Sequence, residues 1–206
     1  STDTEVIYEF IKNSGFYNFE KVNGMWALAY YNQKKHELVL SRDLLGERHL
    51  FYTINNNELI FSSEVQPILF ASLSPIEMNF NSMIASWKFN SSLPGRTLMN
   101  NVFRLKAGTI LRVLNGKIEV SQCQKLHPEK WFDFFKASPS IDKVNNKFTE
   151  IFSKEVNLRI PSEVNYYSTL SGGIDSTLIA YFIKKVLNKN VHSIFGISSS
   201  NQQLSE

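Results

Sequence analysis

Apolar and polar positions recur along this chain with two different periods, and the changes of period mark out its elements. Near the start, "STDTEVIYEFIKNSG" sets Val6, Ile7, Phe10 and Ile11 at helical spacing. Thr2 and Glu5 stand at capping-box spacing ahead of that face, and Gly15 falls where such a helix stops. The period then drops to two. "GMWALAYYNQKKHELVLSRD" predicts a β-hairpin turning at residues 32–35, and "HLFYTINNNELIFSSE" predicts a second, turning at 55–57. Residues 64–70 and 82–89 return to amphipathic helical spacing. Residues 97–105 then lead into a strand pair, "TILRVLNGKIEV", with Asn115-Gly116 as a strong turn signal.

Beyond residue 120 the pattern changes. "SQCQKLHPEKWFDFFKASPS", residues 121–140, has no clean period and holds two prolines, so it reads as a connection between domains. "KVNNKFTEIFSKEVNLRI" predicts a helix. A strand at 165–170, a glycine loop, a helix at 174–187 and a strand at 191–197 follow, which is a βαβ unit and implies a parallel sheet. The expected organisation is an antiparallel β-rich domain over residues 1–120, the connection, and the opening of an α/β domain over 141–206. No internal repeat is present.

Composition narrows the function classes. The 206 residues suffice for one large or two small domains with a buried core. No apolar run approaches the roughly 18 residues of a membrane span, and no signal-peptide series is present. The net charge of +3 with scattered lysines gives nucleic-acid binding no support. A single cysteine, Cys123, excludes an internal disulfide framework and a cysteine-rich metal site. A cytoplasmic soluble protein is the expectation. The chain starts at Ser1 and ends in the polar string "ISSSNQQLSE", so both ends read as cut.

The stretch "STLSGGIDS" carries the candidate chemistry. Gly172 and Gly173 fall between a strand and a helix, where glycine lets the backbone approach a ligand closely. Free amides at the start of the helix and its dipole form an anion site there, and Ser171 and Ser176 can donate to phosphate oxygens. The loop lacks the lysine and length of a Walker motif and the third glycine of a dinucleotide fingerprint. Asp175, in the first helical turn, suits the dipole but would repel a polyphosphate unless Mg²⁺ bridges them or the carboxylate holds neighbouring amides. On local chemistry alone an ordinary βα turn, with Asp175 as a cap, stands beside the nucleotide reading.

"LSGGIDS" resembles the SGGxDS pyrophosphate loop of N-type ATP pyrophosphatases, and the wider chain resembles the asparagine synthetase family. "VNGMWALAYYN" is similar to that family's NGMFAFAIWD, "SRDLLGERHLFY" to ARDxxGxKPLYY, and "LIFSSEVQPIL" to LxFASExKAL. "LPGRTLMNNVFRLKAG" is similar to VPxPxTLFxxVxxLxPG, and "RIPSEVNYYSTLSGGIDS" to RLxSDVPVGxxLSGGxDS. These stretches keep the family's order over essentially the whole chain.

The resemblance implies a partial αββα N-terminal-nucleophile glutaminase domain followed by the first βαβ of a parallel-sheet ATP-pyrophosphatase domain, an α/β and α+β chain. It implies glutamine hydrolysis by an N-terminal cysteine and passage of ammonia to a second domain. There ATP adenylates a carboxylate, usually that of aspartate, as β-aspartyl-AMP, pyrophosphate leaves, and ammonia displaces AMP. ATP and Mg²⁺ are the implied cofactors; glutamine, aspartate and a homodimer the implied partners. By position, Ser171, Gly172, Gly173, Asp175 and Ser176 would hold the β and γ phosphates. Leu170, Phe195 and Gly196 match positions near the adenine, with a core role as the competing reading for Phe195. Asp3 matches the aspartate that binds the α-amino group of glutamine, and helix capping is compatible with that.

Other polar residues read as structural. Glu5 and Glu64 belong to helix starts, and Arg42 and Asp43 are expected to form an ion pair ordering the turn at Gly46. Cys123 lies in the connection and is expected to be packed or solvent-facing, with no catalytic role. The implied nucleophile and the arginine and asparagine of the glutamine site would lie upstream of Asp3; Ser1, in the helix cap, is not expected to replace the nucleophile. The second glycine-acidic loop and acceptor pocket would lie beyond Glu206, where an acidic pair is expected. This stretch alone is expected to have neither glutaminase nor synthetase activity, no catalytic residue is assigned, and metal ligands stay open. "SEVNYY" replaces SDVPVG, and His49 and Ala107 replace prolines, which leaves the acceptor open. Alternatives are an amidotransferase on a sugar or peptide carboxylate, a cyclase of the β-lactam synthetase kind, and a non-catalytic remnant.

Overall fold

The structure, a computed structural model, describes residues 2–55, 57–72, 77–162 and 164–196. The expectations for Ser1, Ile197 and Glu206, and the middle position of the second hairpin turn, lie outside these residues. The chain divides into two compact units, Ser1–His127 and Pro128–Glu206.

The first unit begins with helix α1 (Asp3–Ser14), whose Thr2 cap and Glu5 complete a reciprocal capping box. Gly15, at φ +67°, ends it in a conformation that most side chains resist. A 3₁₀ segment, Phe16–Lys21, follows, which the sequence pattern did not predict. Strands β1 (Ala27–Asn32) and β2 (Glu37–Arg42) form the first hairpin, and β3 (Phe51–Asn55) and β4 (Glu58–Ser62) the second. Helices α2 (Val65–Ala71) and α3 (Phe80–Phe89) precede the short β5 (Phe103–Arg104). β6 (Thr109–Leu114) and β7 (Lys117–Gln122) close the unit around Asn115-Gly116, both at positive φ as the hairpin turn demands.

Two antiparallel sheets result, ordered β1-β2-β6-β7 and β4-β3-β5. Neighbouring residues of β2 and β6 point to opposite faces, so each central strand feeds two cores. Val39 and Ile110 pack with Ile11 of α1 and with Phe19, which the 3₁₀ segment buries completely. Leu40 and Leu111 pack with Leu50, Leu105 and the partly buried Tyr52 and Leu59 of the second sheet. The far face of that sheet gives Phe51 to Ile68 of α2 and to Val102. Helix, sheet, sheet, helix is the layer order, as expected of the αββα architecture. Each fully buried Leu or Ile contributes ~1.5–3 kcal/mol relative to exposure.

Two polar devices lock the corners of this unit. The Asp43 carboxylate, fully buried, accepts four backbone N–H groups: those of Leu45 (3.1 Å) and Glu47 (2.9 Å) on Oδ1, and those of Trp26 (3.2 Å) and Arg48 (3.1 Å) on Oδ2. Arg42 donates to the carbonyls of Arg48 (2.6 Å), Leu105 (2.8 Å) and Gly46. The expected ion pair is therefore corrected: both side chains order the Gly46 turn, each through backbone groups of its own. Farther on, the Gly108 carbonyl accepts the N–H groups of Cys123 (2.8 Å) and Gln124 (3.0 Å). The buried Gln124 amide in turn donates to Phe19 O (2.9 Å) and Val22 O (2.8 Å), clamping the chain as it leaves β7.

In the second unit part of the expected connection is helical: a 3₁₀ turn at Pro128–Trp131 and α4 (Phe132–Lys136). Proline costs nothing at the start of a helical turn, where its missing N–H has no partner to lose. α5 (Ile141–Arg159) is capped by Ser140 and exceeds the expected start by two residues. β8 (Tyr167–Thr169) and β9 (His192–Ile194) pair in parallel around α6 (Ile174–Tyr181), the expected βαβ unit. α6 continues as a π turn, Phe182–Val186, closed by Leu187 N–H donating to Phe182 O at 2.8 Å. That widening turns two consecutive apolar residues, Phe182 and Ile183, inward. Phe182 meets Phe152 edge-on at 4.7 Å between ring centroids and Phe148 at 6.1 Å.

Candidate functional site

The glycine loop occupies the turn between β8 and α6. Leu170 N–H donates to Ile194 O at 2.8 Å, extending the parallel pairing to the edge of the loop. Gly172 follows at φ +80° with no atom within 4 Å of where a Cβ would stand, so the backbone is open to solvent at a conformation only glycine takes freely. Gly173 is the N-cap of α6 and offers no side chain to cap it.

The hydroxyls hold this shape among themselves. Ser171 Oγ and Ser176 Oγ lie 3.1 Å apart, Ser176 Oγ accepts Ser171 N–H at 3.2 Å, and both Ser176 and Thr177 donate to Gly173 O. The N–H groups of Ile174, Asp175 and Ser176 have no protein partner among the described residues. Successive free amides at a helix start, with the positive end of its dipole behind them, make a cradle for an anion. Asp175 is exposed and its carboxylate makes no hydrogen bond or ion pair among the described residues. It neither caps α6 nor braces the loop, so the capping alternative is not what the chain does.

Phe195 is 64% exposed, and Gly196 beside it is exposed as well. Leu170 is half-buried. Ser171, Gly172, Gly173, Asp175 and Ser176 are brought together by the loop, with Leu170 at its edge, where β9 leads to Phe195 and Gly196. Asp3 belongs to the first unit and stands exposed in the first turn of α1, next to the Thr2 cap, its carboxylate making no hydrogen bond among the described residues. Among the described residues no group of three or more His, Cys, Asp or Glu could hold a metal ion. Among the described residues the loop itself offers a cation one carboxylate, Asp175.

Cys123 is half-buried: its thiol donates to Gly108 O at 3.3 Å and lies 4.0 Å from Ser41 Oγ. Burial pushes the thiol pKa up, which the Ser41 contact only partly opposes, so it is a packed thiol without thiolate character. One cationic group escaped the sequence reading. Arg104 holds its guanidinium 5.4 Å over the Phe51 ring, with Nε buried and unpartnered. Its charge adds to the effect of burial in lowering the pKa of both Arg42 and His49. No periodicity marks such a residue; only its register opposite Phe51 does.

Comparison with known proteins follows the same division. Residues 1–124 match the glutamine amidotransferase domain family, and residues 147–200 match asparagine synthase. The protein of Methanocaldococcus jannaschii assigned as glutamine-hydrolyzing asparagine synthetase 2 is 29% identical over 200 residues, covering 95% of this chain and 38% of its own length. Asparagine synthetase 2 of Bacillus subtilis is 24% identical, covering 97% of this chain and 27% of its own. The amidase chry2 of Gibberella zeae is 24% identical, covering 92% and 27%. This chain thus spans well under half the length of the relatives it matches. The chain belongs to the glutamine amidotransferase domain family, in the asparagine synthetase arrangement where that domain is followed by an asparagine synthase segment.

Proposed function

We propose that this chain serves glutamine-dependent, ATP-dependent amide synthesis, with aspartate as the acceptor and asparagine as the product. The observation that carries the reading is the open amide cradle of Gly172 to Ser176 lying within the asparagine synthase match, on a chain whose first 124 residues match a glutamine amidotransferase domain. In this reading the free N–H groups of Ile174, Asp175 and Ser176 bind the β and γ phosphates of ATP, with Ser171 and Ser176 turning their hydroxyls to the same oxygens. Leu170, Phe195 and Gly196 bound the adenine, where an exposed aromatic ring and free backbone suit a planar base. Asp175 would be the protein ligand to Mg²⁺, which would supply charge neutralisation for the leaving group. Bound ATP supplies the leaving group, pyrophosphate, on which the charge gathered by the cradle builds up. Asp3 binds the ammonium of glutamine.

An acceptor other than aspartate is the second reading. It is favoured by the amidase among the relatives and by "VNYY" preceding the loop, where Tyr166 is committed to donating to Asn190 O at 2.5 Å. A cytoplasmic site of action and a homodimer complete the proposal; among the described residues no helix is long and apolar enough to cross a membrane. The test is Asp175→Asn in the protein expressed from its complete gene. Pyrophosphate release dependent on ATP and aspartate should vanish while glutamine hydrolysis continues. Survival of pyrophosphate release would overturn the phosphate-site assignment, and release with a different carboxylate in place of aspartate would select the second reading.

A further inference from the structure

Helix α3 turns its apolar side outward. The residues it buries are small, Ser82 and Ala85. Phe80, Met83, Ile84 and Trp87, by contrast, are 69%, 40%, 59% and 90% exposed. These four stand at i, i+3, i+4 and i+7, the spacing of one continuous stripe along a helix, and such a stripe ordinarily faces a core. The start of α3 is tied down in this orientation. Its cap, Asn79, donates its N–H to Leu98 O at 2.7 Å and accepts Ser82 N–H on its side chain at 2.9 Å. Just ahead of it, Asn100 N–H donates to Glu77 O at 2.9 Å.

The stripe is large enough to need a partner. Side chains of this size carry roughly 200 Å² each, so the exposed fractions leave on the order of 500 Å² of apolar surface on one helix, near the upper end of what a monomer shows. Two such stripes face to face would cover on the order of 1,000 Å², the least a specific interface needs.

The stripe also reads alike from either end: aromatic, non-aromatic, non-aromatic, aromatic. A twofold axis passing between Met83 and Ile84 sets Phe80 against the partner's Trp87 and Met83 against the partner's Ile84, the self-complementarity that an isologous contact requires. Charge favours the same direction. Lys88, in the last turn, is the one charged residue of α3, and Glu77 stands just ahead of its cap. Antiparallel pairing brings Lys88 to the partner's Glu77, whereas parallel pairing sets lysine against lysine.

From this we infer that α3 is the dimer interface: two copies of this chain pair antiparallel through the Phe80–Trp87 stripe. The homodimer proposed above is the premise, and the surface does not depend on the chemistry at the glycine loop.

The experiment is sedimentation velocity of the protein expressed from its complete gene, over a wide range of concentration. The unaltered protein should dimerise. Ile84→Lys should raise the dimer dissociation constant on the order of a hundredfold, since each substitution counts twice across a twofold axis. Trp87→Ala, which adds no charge at a position already open to solvent, should raise it about tenfold or more and stands in if the lysine variant misfolds by circular dichroism. Lys88→Glu should weaken the dimer about fivefold, and adding Glu77→Lys should restore it. A protein that stays monomeric would overturn the inference. A dimer unmoved by Ile84→Lys and Trp87→Ala would leave the homodimer standing and overturn its assignment to α3. Failure of Glu77→Lys to restore the Lys88→Glu variant would overturn the antiparallel arrangement.

Discussion

Replacing Asp43 by asparagine changes one atom of a fully buried side chain and should cost the first unit much of its stability. Oδ1 accepts the N–H groups of Leu45 and Glu47, and Oδ2 those of Trp26 and Arg48. Asparagine must put its NH₂ at one of these positions, whichever way the amide is turned. Two backbone N–H groups then face a donor in a place where Asp43 has no exposure at all. Each orphaned buried donor costs ~1–3 kcal/mol, and the lost charge on the surviving bonds adds to it. Relief from burying a carboxylate offsets part of this. The expected net loss is about 3 kcal/mol, set against the ~5–15 kcal/mol that hold a typical domain folded. Urea unfolding followed by Trp26 fluorescence, with Trp87→Phe and Trp131→Phe in the background, isolates the corner, since Trp26 N–H is one of the four donors. The midpoint should fall while the slope stays unchanged. An asparagine variant within ~0.5 kcal/mol of its parent would refute the claim that the carboxylate organises the turn.

Other outcomes follow from the same geometry. Gly108→Ala should destabilise by ~1–3 kcal/mol more than Gly116→Ala: both sit at positive φ, but a Cβ on Gly108 would stand 2.7 Å from the Gln124 carbonyl oxygen, whereas one on Gly116 meets nothing within 4 Å. Thermal melts of the two variants decide it, and equal losses would count against the close approach. Arg104→Met should raise the His49 pKa, since Arg104 adds to burial in holding it below its ordinary value of 6.5; imidazole NMR titration reads the direction. Cys123, whose pKa is pushed above its ordinary value of 9.0 mainly by burial, should be alkylated far more slowly in the folded chain than in urea. Because the folded state favours the neutral thiol, that contribution is complete below the ordinary thiol pKa and is lost as pH rises above it. Urea midpoints of Cys123→Ser and its parent should therefore converge at alkaline pH.

Local signals were read well from the sequence. The capping box of Thr2 and Glu5, the Asn115-Gly116 turn and the strand–loop–helix around Gly172 each rest on contacts within a few residues, so spacing alone reports them. What spacing does not report is long-range. Phe19 is fully buried in a 3₁₀ segment because Ile11, Val39 and Ile110 converge on it, not because its own neighbours show a period. The π turn at Phe182 answers to Phe148 and Phe152 on α5. Arg42 and Asp43, adjacent and opposite in charge, invited an ion pair, yet backbone groups up to 63 positions away compete for them and win. At the glycine loop the residue types were legible, while the exposure of Phe195 and the free carboxylate of Asp175 were not.

The Gln124 clamp bears on how this molecule takes mechanical load. β7 is the outermost strand of its sheet, and a chain leaving an edge strand ordinarily peels it away rung by rung under tension. Here a pull on residue 125 is met first by the Gln124 side chain, gripping the carbonyls of Phe19 and Val22, and by two N–H groups held on Gly108. Force is thus passed sideways into the Phe19 core in shear, where several bonds must break together, and the strand edge stays shielded.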